Sequence, residues 1–249
     1  MEQLNLFEQN GIKIETQQES IRITNKNIIK NVSYDQKEIL YNIMLLHNDM
    51  KPFDCDMTAS ELNFYKRTND SPYKIPMPKI LFDVFPKSDF IKKIEPNGDL
   101  PLENESINSI VIDLPFIIDS NINSIIKGII LKRFHAYYPA IELYKNYYHW
   151  IKEAMRVLKK NGICVFKCQS VVSSGIKHNI EEYSCLCAYN VGFAVEDRFT
   201  LLSKNRLIGN NHANQKHARS FTSVFYVFKK SESNKYQQFN FMRLINDIF

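Results

Sequence analysis

Apolar positions along the chain follow two periods in alternation. Residues 53–56, 79–84 and 107–113 are short apolar runs that each meet an acid, Asp56, Asp83 and Asp113, and runs of this length between turn signals predict buried strands. Helical spacing occupies the intervals. Ile39, Leu40, Ile43, Met44 and His47 share one stripe behind Ser33 as N-cap and Gln36 at the capping-box position, which predicts a helix ending at Asp49 to Pro52. Tyr147, Ile151, Ala154, Met155 and Leu158 share another, predicting a helix over residues 144–158 closed by the basic turn Lys159-Lys160-Asn161-Gly162. A central strand at 163–166, a helix at 179–190, a strand at 193–202, a polar loop at 203–220 and a last strand at 221–228 complete the pattern. The final two strands have no helix between them, so they are expected as an antiparallel hairpin at a sheet edge.

This order of elements predicts an α/β fold with a mostly parallel sheet covered by helices. In such a sheet ligands bind beyond the carboxyl ends of the strands, so acids that end strands face one crevice. The polar stretch 1–30 reads as an N-terminal arm and 231–249 as a C-terminal tail.

Composition narrows the chemistry. The chain has 249 residues, of which only 7 are glycine, about 3% against a usual share of about 7%. It contains neither the dinucleotide glycine fingerprint nor a P-loop, which removes those two cofactor classes. The formal charge of +5 is compatible with a nucleic-acid partner without requiring one. The cysteines number 5, with no CxxC pair and no signal-like start, so reduced thiols filling the core of a cytoplasmic protein are expected, with no membrane association. No metal is expected either: His212 and His217 stand in a polar run that offers no cysteine or carboxylate ligands.

The most informative residues are Asp113-Leu114-Pro115-Phe116, at the end of an apolar strand. Methylating the amino group of a base requires an acceptor for the exocyclic amine, a second acceptor from the backbone and a ring for the flipped base to stack on. The Asp113 carboxylate, Leu114 carbonyl and Phe116 ring are of those three kinds. Asp99-Leu100-Pro101-Leu102 stands before this strand, and Arg156-Val157-Leu158-Lys159-Lys160-Asn161-Gly162 with Ile163-Cys164-Val165-Phe166-Lys167 stands after it. Together they resemble the AdoMet-dependent DNA amino-methyltransferases that act on adenine N6 or cytosine N4, most closely small phage-type and bacterial members. That family runs strand, D/N/S-P-P-Y/F, helix ending R-V-L-K-P-G-G, then an I-L-V-F-K strand. The resemblance extends over residues 33–230 and includes Val172-Ser173-Ser174-Gly175, Lys204-Asn205-Arg206-Leu207-Ile208 and Asn214-Gln215-Lys216-His217-Ala218-Arg219.

The resemblance implies a Rossmann-like AdoMet-dependent methyltransferase fold over residues 31–230, with a mostly parallel seven-stranded sheet and an antiparallel C-terminal hairpin. It implies S-adenosyl-L-methionine as cofactor and Asp113, Leu114, Pro115 and Phe116 as the catalytic tetrapeptide. Asp56, Thr58 and Phe64 fall on the cofactor loop after the first strand, Asp83 on the ribose acceptor, and Asp99 with Leu100 on the cofactor adenine. The implied reaction is methyl transfer to a DNA base, adenine N6 ahead of cytosine N4. The alternatives are a catalytically inactive methyltransferase-like nucleic-acid-binding protein or partner subunit, and an RNA methyltransferase.

Arg133, in an aromatic setting with Phe134, Tyr137 and Tyr138, and Lys204, Arg206, His212, Lys216, His217 and Arg219 suit phosphate and base contacts to DNA. Lys167 and Gln169 end the 163–166 strand and are expected at the same crevice as Asp113. No large extra segment suggests a target-recognition domain, so a partner subunit is an expected source of sequence recognition. Two positions depart from the family pattern: Leu114 replaces the first proline of the tetrapeptide, and residues 56–64 contain no glycine. The second departure predicts strain wherever that loop needs a positive φ.

Overall fold

A computed structural model describes residues 28–118, 136–203, 217–218 and 220–231. The chain divides into Met1–Asn31 and Val32–Phe249, and every element below belongs to the second unit. In chain order these are β1 (Val32–Ser33), α1 (Gln36–His47), β2 (Cys55–Asp56), β3 (Ile80–Asp83), β4 (Lys92–Lys93), β5 (Ile107–Asp113), β6 (Ile117–Ile118) and β7 (Ala136–Tyr137). There follow α2 (Ala140–Val157), β8 (Leu158–Cys168), β9 (Val171–Ser173), β10 (Ile176–His178), α3 (Ile180–Val191), β11 (Ala194–Leu202) and β12 (Thr222–Lys229).

The main sheet has the order β1-β11-β12-β8-β5-β2-β3-β4. The strands from β8 through β5, β2 and β3 to β4 pair in parallel, whereas β12 runs antiparallel to both β8 and β11. The α/β sheet with an antiparallel C-terminal hairpin is therefore as the sequence predicts, with eight strands in place of seven and with the hairpin one strand in from the sheet edge, where β1 covers it. Neither β1, which pairs in parallel with β11 through Val32 and Ser33, nor β4, which pairs in parallel with β3, is among the strands read from the pattern. From β2 the chain moves outward through β3 to β4, then returns to place β5 on the other side of β2. The direction of winding thus reverses between β2 and β5, the place beyond whose carboxyl ends open α/β sheets bind ligands.

Alternation of side chains assigns the two faces of the central strands. Ile110, Ile112, Cys164, Phe166, Val224, Tyr226 and Phe228 join one core with Leu143, Tyr147, Trp150, Ile151 and Ala154 of α2 and Cys187 and Ala188 of α3. The intervening positions Val111, Val165, Phe225 and Val227 are also buried, as are Ile39, Leu40, Ile43 and Met44 of α1. Cys55, Cys164, Cys168 and Cys187 are buried free thiols and Cys185 is half-buried, and burial raises the pKa of each. Among the described residues no helix is long and apolar enough to cross a membrane.

Three local expectations need correction. The N-cap of α1 is Asp35, whose carboxylate accepts from the Lys37 N–H at 2.8 Å. Ser33 is drawn into β1 by its pairing with Leu201, and its hydroxyl accepts from the Asp35 N–H. The second helix starts earlier than predicted, at Ala140, and ends at Val157 without a glycine stop. Leu158 is already extended and pairs with Ile107, so Lys159 to Gly162 form an irregularity inside β8. The last carbonyls of α2 are capped from far along the chain: Lys230 Nζ donates to Met155 O at 3.0 Å and Leu158 O at 2.7 Å.

Gly162 is required here by space. A Cβ would stand 2.8 Å from Lys159 O and 2.9 Å from Asn108 O, both backbone atoms in paired strands. Gly162→Ala is expected to lower stability by about 1–3 kcal/mol, measured by urea denaturation. An unchanged midpoint would show that the β5–β8 irregularity yields freely.

Candidate active site

Strand register brings the carboxyl ends of β2, β3, β5 and β8 together. Asp56 pairs with Val111 and Leu81, and Asp113 pairs with Lys167. Asp56, ending β2, is only 1% exposed. Its Oδ1 accepts from the Thr58 N–H at 2.8 Å and the Thr58 hydroxyl at 3.1 Å, and its Oδ2 accepts from the Tyr65 hydroxyl at 2.7 Å. Thr58 Oγ1 in turn accepts from the Asp113 N–H at 2.8 Å, tying the β2 loop to the end of β5 across the switch point. Desolvation pushes the Asp56 carboxyl up to about 6, the Tyr65 and Thr58 hydrogen bonds opposing and the charge of Asp113 adding to it. Burial, reinforced by Asp56, also raises the Tyr65 phenol well above its ordinary range.

Asp113 is half-buried and engaged. Lys167 Nζ donates to its Oδ2 at 2.8 Å and lies 5.3 Å from the Phe64 ring centre and 5.5 Å from that of Phe225. Those rings are 6.2 Å apart and Phe64 is itself buried, so the ammonium is held by one carboxylate and two aromatic faces. The next three residues turn away from the sheet. Leu114 is buried in the α2 core, Phe116 packs partly against it, and Pro115 O accepts from the buried Tyr147 hydroxyl at 3.2 Å.

Asp83 organises the loop after β2. Its Oδ2 accepts from the Ser60 N–H and its Oδ1 from the Phe85 N–H, each at 2.7 Å. Each oxygen retains a second lone pair for a hydroxyl donor. The loop adopts positive φ at Ser60 (42°) and Leu62 (61°), so the conformation for which glycine is suited is present without glycine.

Asp99 is exposed, and Leu100 is buried with both its backbone groups committed. The Leu100 N–H donates to Glu153 Oε2 at 2.9 Å, and its carbonyl accepts from Arg156 Nη2 at 3.0 Å. Arg156 also bonds both Glu153 oxygens and Leu102 O. Burial opposes the charge on Glu153, but the Arg156 and Leu100 hydrogen bonds outweigh it and the pKa is lowered. This clamp is absent from the sequence reading, although Glu153 and Arg156 stand i, i+3 on a predicted helix. Phe225 and Ser60 were also missed, since neither has a local signal of its role.

Of the residues expected to meet DNA, His217 is described: its Nε2 lies 3.0 Å from Gly175 O, in the turn of the β9–β10 hairpin. Arg133, Lys204, Arg206, His212, Lys216 and Arg219 lie outside the described residues.

No protein-family model matches the chain, and no curated protein matches it. Among solved structures, it is similar to a chain named as a DNA modification methylase from Thermus thermophilus, at 12% identity and TM-score 0.35 over 53% of this chain. The match spans about half of that protein, 48%. A chain from the complex of the Haloferax volcanii Trm112 methyltransferase activator with a methyltransferase matches at 11% identity and TM-score 0.43, covering 80% of this chain and 94% of that one. A SAM-dependent methyltransferase from Methanosarcina mazei matches at 10% identity and TM-score 0.36, covering 72% of this chain and 81% of the other.

Two stability measurements check this geometry. A carboxyl whose folded pKa of about 6 exceeds its ordinary 3.8 adds stability in full below the lower value and loses it as pH rises through the higher. The difference is on the order of 3 kcal/mol. Asp56→Asn should therefore gain on wild type by about 2–3 kcal/mol between pH 4 and pH 7 in urea titrations, whereas a constant offset would mean an ordinary Asp56. At position 62 both truncations lose the packing beyond Cβ, so Leu62→Gly should be more stable than Leu62→Ala by about 0.5–1 kcal/mol through relief of the positive φ. Equal stability would show that the backbone there is unstrained.

Proposed function

We propose that this chain transfers a methyl group from AdoMet to the exocyclic amino group of a base in DNA, adenine N6 ahead of cytosine N4. The observation that carries the reading is the placement of Asp56 and Asp113 on either side of the switch point, with Asp83 on the adjoining strand. A ligand beyond these strand ends meets the acceptors Asp83 and Asp113, while the buried Asp56 between them holds Thr58 and Tyr65 in place.

AdoMet, when bound, supplies an electrophilic methyl on a sulfonium. The chain's contribution is to hold and orient. Asp83 is the acceptor assigned to the ribose hydroxyls, with Asp99 and Leu100 beside the adenine. The clamp on Leu100 fixes the backbone there before any ligand arrives. Thr58 and Phe64 of the loop after β2 are assigned to the same cofactor, and the positive φ of Ser60 and Leu62 gives the loop its glycine-like path.

Asp113 and the Leu114 carbonyl are the acceptors for the substrate amine, and Phe116 is the stacking ring. A carboxylate has about four lone-pair sites, so the Lys167 contact leaves Asp113 capacity for an amine donor. The new bond joins the amine nitrogen to the methyl carbon as the sulfur–methyl bond breaks, and one amine proton passes to water. Orientation of the two reactants supplies most of the acceleration. Arg133, Lys204, Arg206, His212, Lys216, His217 and Arg219 are assigned to DNA contact, and a partner subunit to target recognition.

A second reading has one observation in its favour. Lys167 occupies an oxygen of the carboxylate that the substrate amine needs, as it would in an inactive methyltransferase-like protein that binds nucleic acid. Two measurements separate the readings. Asp113→Asn should leave AdoMet affinity by calorimetry unchanged and reduce methyl transfer to DNA about ten- to hundredfold, the loss of a charge-assisted hydrogen bond. Undiminished transfer would remove Asp113 from the mechanism. Wild-type protein without heat of binding at millimolar AdoMet, and without transfer to DNA, would leave the inactive reading standing.

A further inference from the structure

Gln169 lies immediately after β8 and is 3% exposed, and its Nε2 is a buried side-chain nitrogen without a hydrogen-bond partner among the described residues. Such an orphan is rare, because a buried donor left unmade keeps the whole cost of its desolvation. Its neighbours are satisfied elsewhere: Glu181 accepts from the Ser170 N–H at 3.3 Å and from Arg198 at 3.0 Å. An apolar side chain of similar volume would fit this position with less penalty, so the amide calls for a partner beyond the described residues.

Its position in the sheet identifies the kind of partner. Lys167 is the register partner of Asp113 in the parallel β5–β8 pair. Gln169 is two residues further on and one past the end of β8; Ser170 after it bonds Glu181 at the start of α3, on the opposite face, so continued alternation returns Gln169 to the face of Asp113 and Lys167, about 7 Å nearer the carboxyl edge. This placement sets a charged acceptor, Asp113, and beyond it a buried, unpaired neutral donor on one face of the sheet. The Watson–Crick edge of an amino-bearing base offers the complement: an amine that donates and, next to it, a ring nitrogen that accepts. Adenine has N1 in that place and cytosine has N3, while thymine and guanine carry an N–H donor there.

Resting on the reading of the site given above, we propose that Gln169 is a specificity-determining residue, whose Nε2 donates to the ring nitrogen adjoining the methylated amine. The amine and ring nitrogen are then read together by Asp113 and Gln169. Bases with a ring N–H are rejected because two donors would face each other. The orphan amide is the folded protein's standing cost for that selection.

The test combines base analogues with one substitution. Methyl transfer from AdoMet is measured on single-stranded oligodeoxyadenylate and on the same strand built with 1-deazaadenine or 7-deazaadenine. Both analogues keep the amine, but only the first loses N1. Wild type is expected to lose about two- to tenfold in kcat/KM on the 1-deaza strand, the scale of one neutral hydrogen bond, and to keep its rate on the 7-deaza strand.

Gln169→Leu should methylate the adenine and 1-deaza strands at one equal, lower rate, and should melt at a higher temperature than wild type because a buried unpaired polar group is gone. A purely structural amide would do the reverse, lowering the melting temperature while preserving discrimination. Either of those results overturns the proposal, as does unchanged discrimination in a variant that folds normally. If wild type transfers no methyl group to the adenylate strand, to oligodeoxycytidylate or to duplex DNA, the enzymatic reading fails and this inference fails with it. Transfer to adenylate with no 1-deaza penalty sinks the inference alone.

Discussion

The register of the parallel pairs around β5 is the constraint on which the remainder of the structure depends. Asp113 is opposite Lys167 and Val111 is opposite Asp56, and these pairings place both carboxylates on one side of the sheet's carboxyl edge. A slip of one residue would turn Asp113 toward Tyr147 and Trp150 and present Ile112 to the crevice. Polar anchors at the opposite end of the strands resist that slip. The Asp54 N–H donates to Ser109 Oγ at 2.9 Å, and Asp54 Oδ2 accepts from the Asn108 N–H at 2.6 Å. The buried apolar faces then lock what these hydrogen bonds have aligned, through Ile110, Ile112, Cys164 and Phe166.

Around that register the site is assembled from groups that answer one another electrostatically. Asp56 is buried, so its charge is costly, and Thr58 and Tyr65 direct three donors at it in compensation. Thr58 commits its hydroxyl proton to Asp56 and its oxygen to the Asp113 N–H, so a single side chain couples two strand ends. Asp113 keeps partial solvent contact and is balanced by Lys167, itself set against Phe64 and Phe225. The positive charge is shared between an ion pair and two ring faces, an arrangement that steadies it without closing off the carboxylate. The Glu153–Arg156 clamp does similar work for the backbone of Leu100, fixing an otherwise irregular segment from the rigid surface of α2.

Positions at which the chain differs from the pattern it resembles take on meaning in this setting. The loop after β2 lacks glycine, yet Ser60 and Leu62 adopt the left-handed backbone, and Asp83 holds Ser60 there through a charged acceptor. The path of the loop is thus maintained by tertiary contacts where glycine would have allowed it freely. Leu114, in place of proline, buries its side chain under α2, so packing supplies the rigidity that a ring would have given to the turn. The strain at Leu62 and the orphan amide of Gln169 are local conflicts of the kind that concentrate where a protein binds something.

The sequence by itself determined the fold class and the identity of the strand-end acids. Short apolar runs mark the strands and a period of 3.6 marks the buried faces of the helices, and Asp83 and Asp113 each end a strand that the pattern predicts. It also determined, through the spacing of the last two strands, the antiparallel β11–β12 pair. What only tertiary structure decided are matters of partner and register. Ser33 has the chemistry of a cap, but its pairing with Leu201 removed it and left the cap to Asp35. Lys159 to Gly162 have the composition of a helix stop, but pairing of Leu158 with Ile107 drew them into β8. The sequence expects Lys167 near Asp113, as the register bears out, but the ion pair between them, Phe225 beneath Lys167 and Glu153 on Leu100 each depend on residues brought together across strands or helices. Local pattern specifies the face on which a side chain emerges, whereas its partner is set by alignment with a distant segment, which is a property of the packed sheet alone.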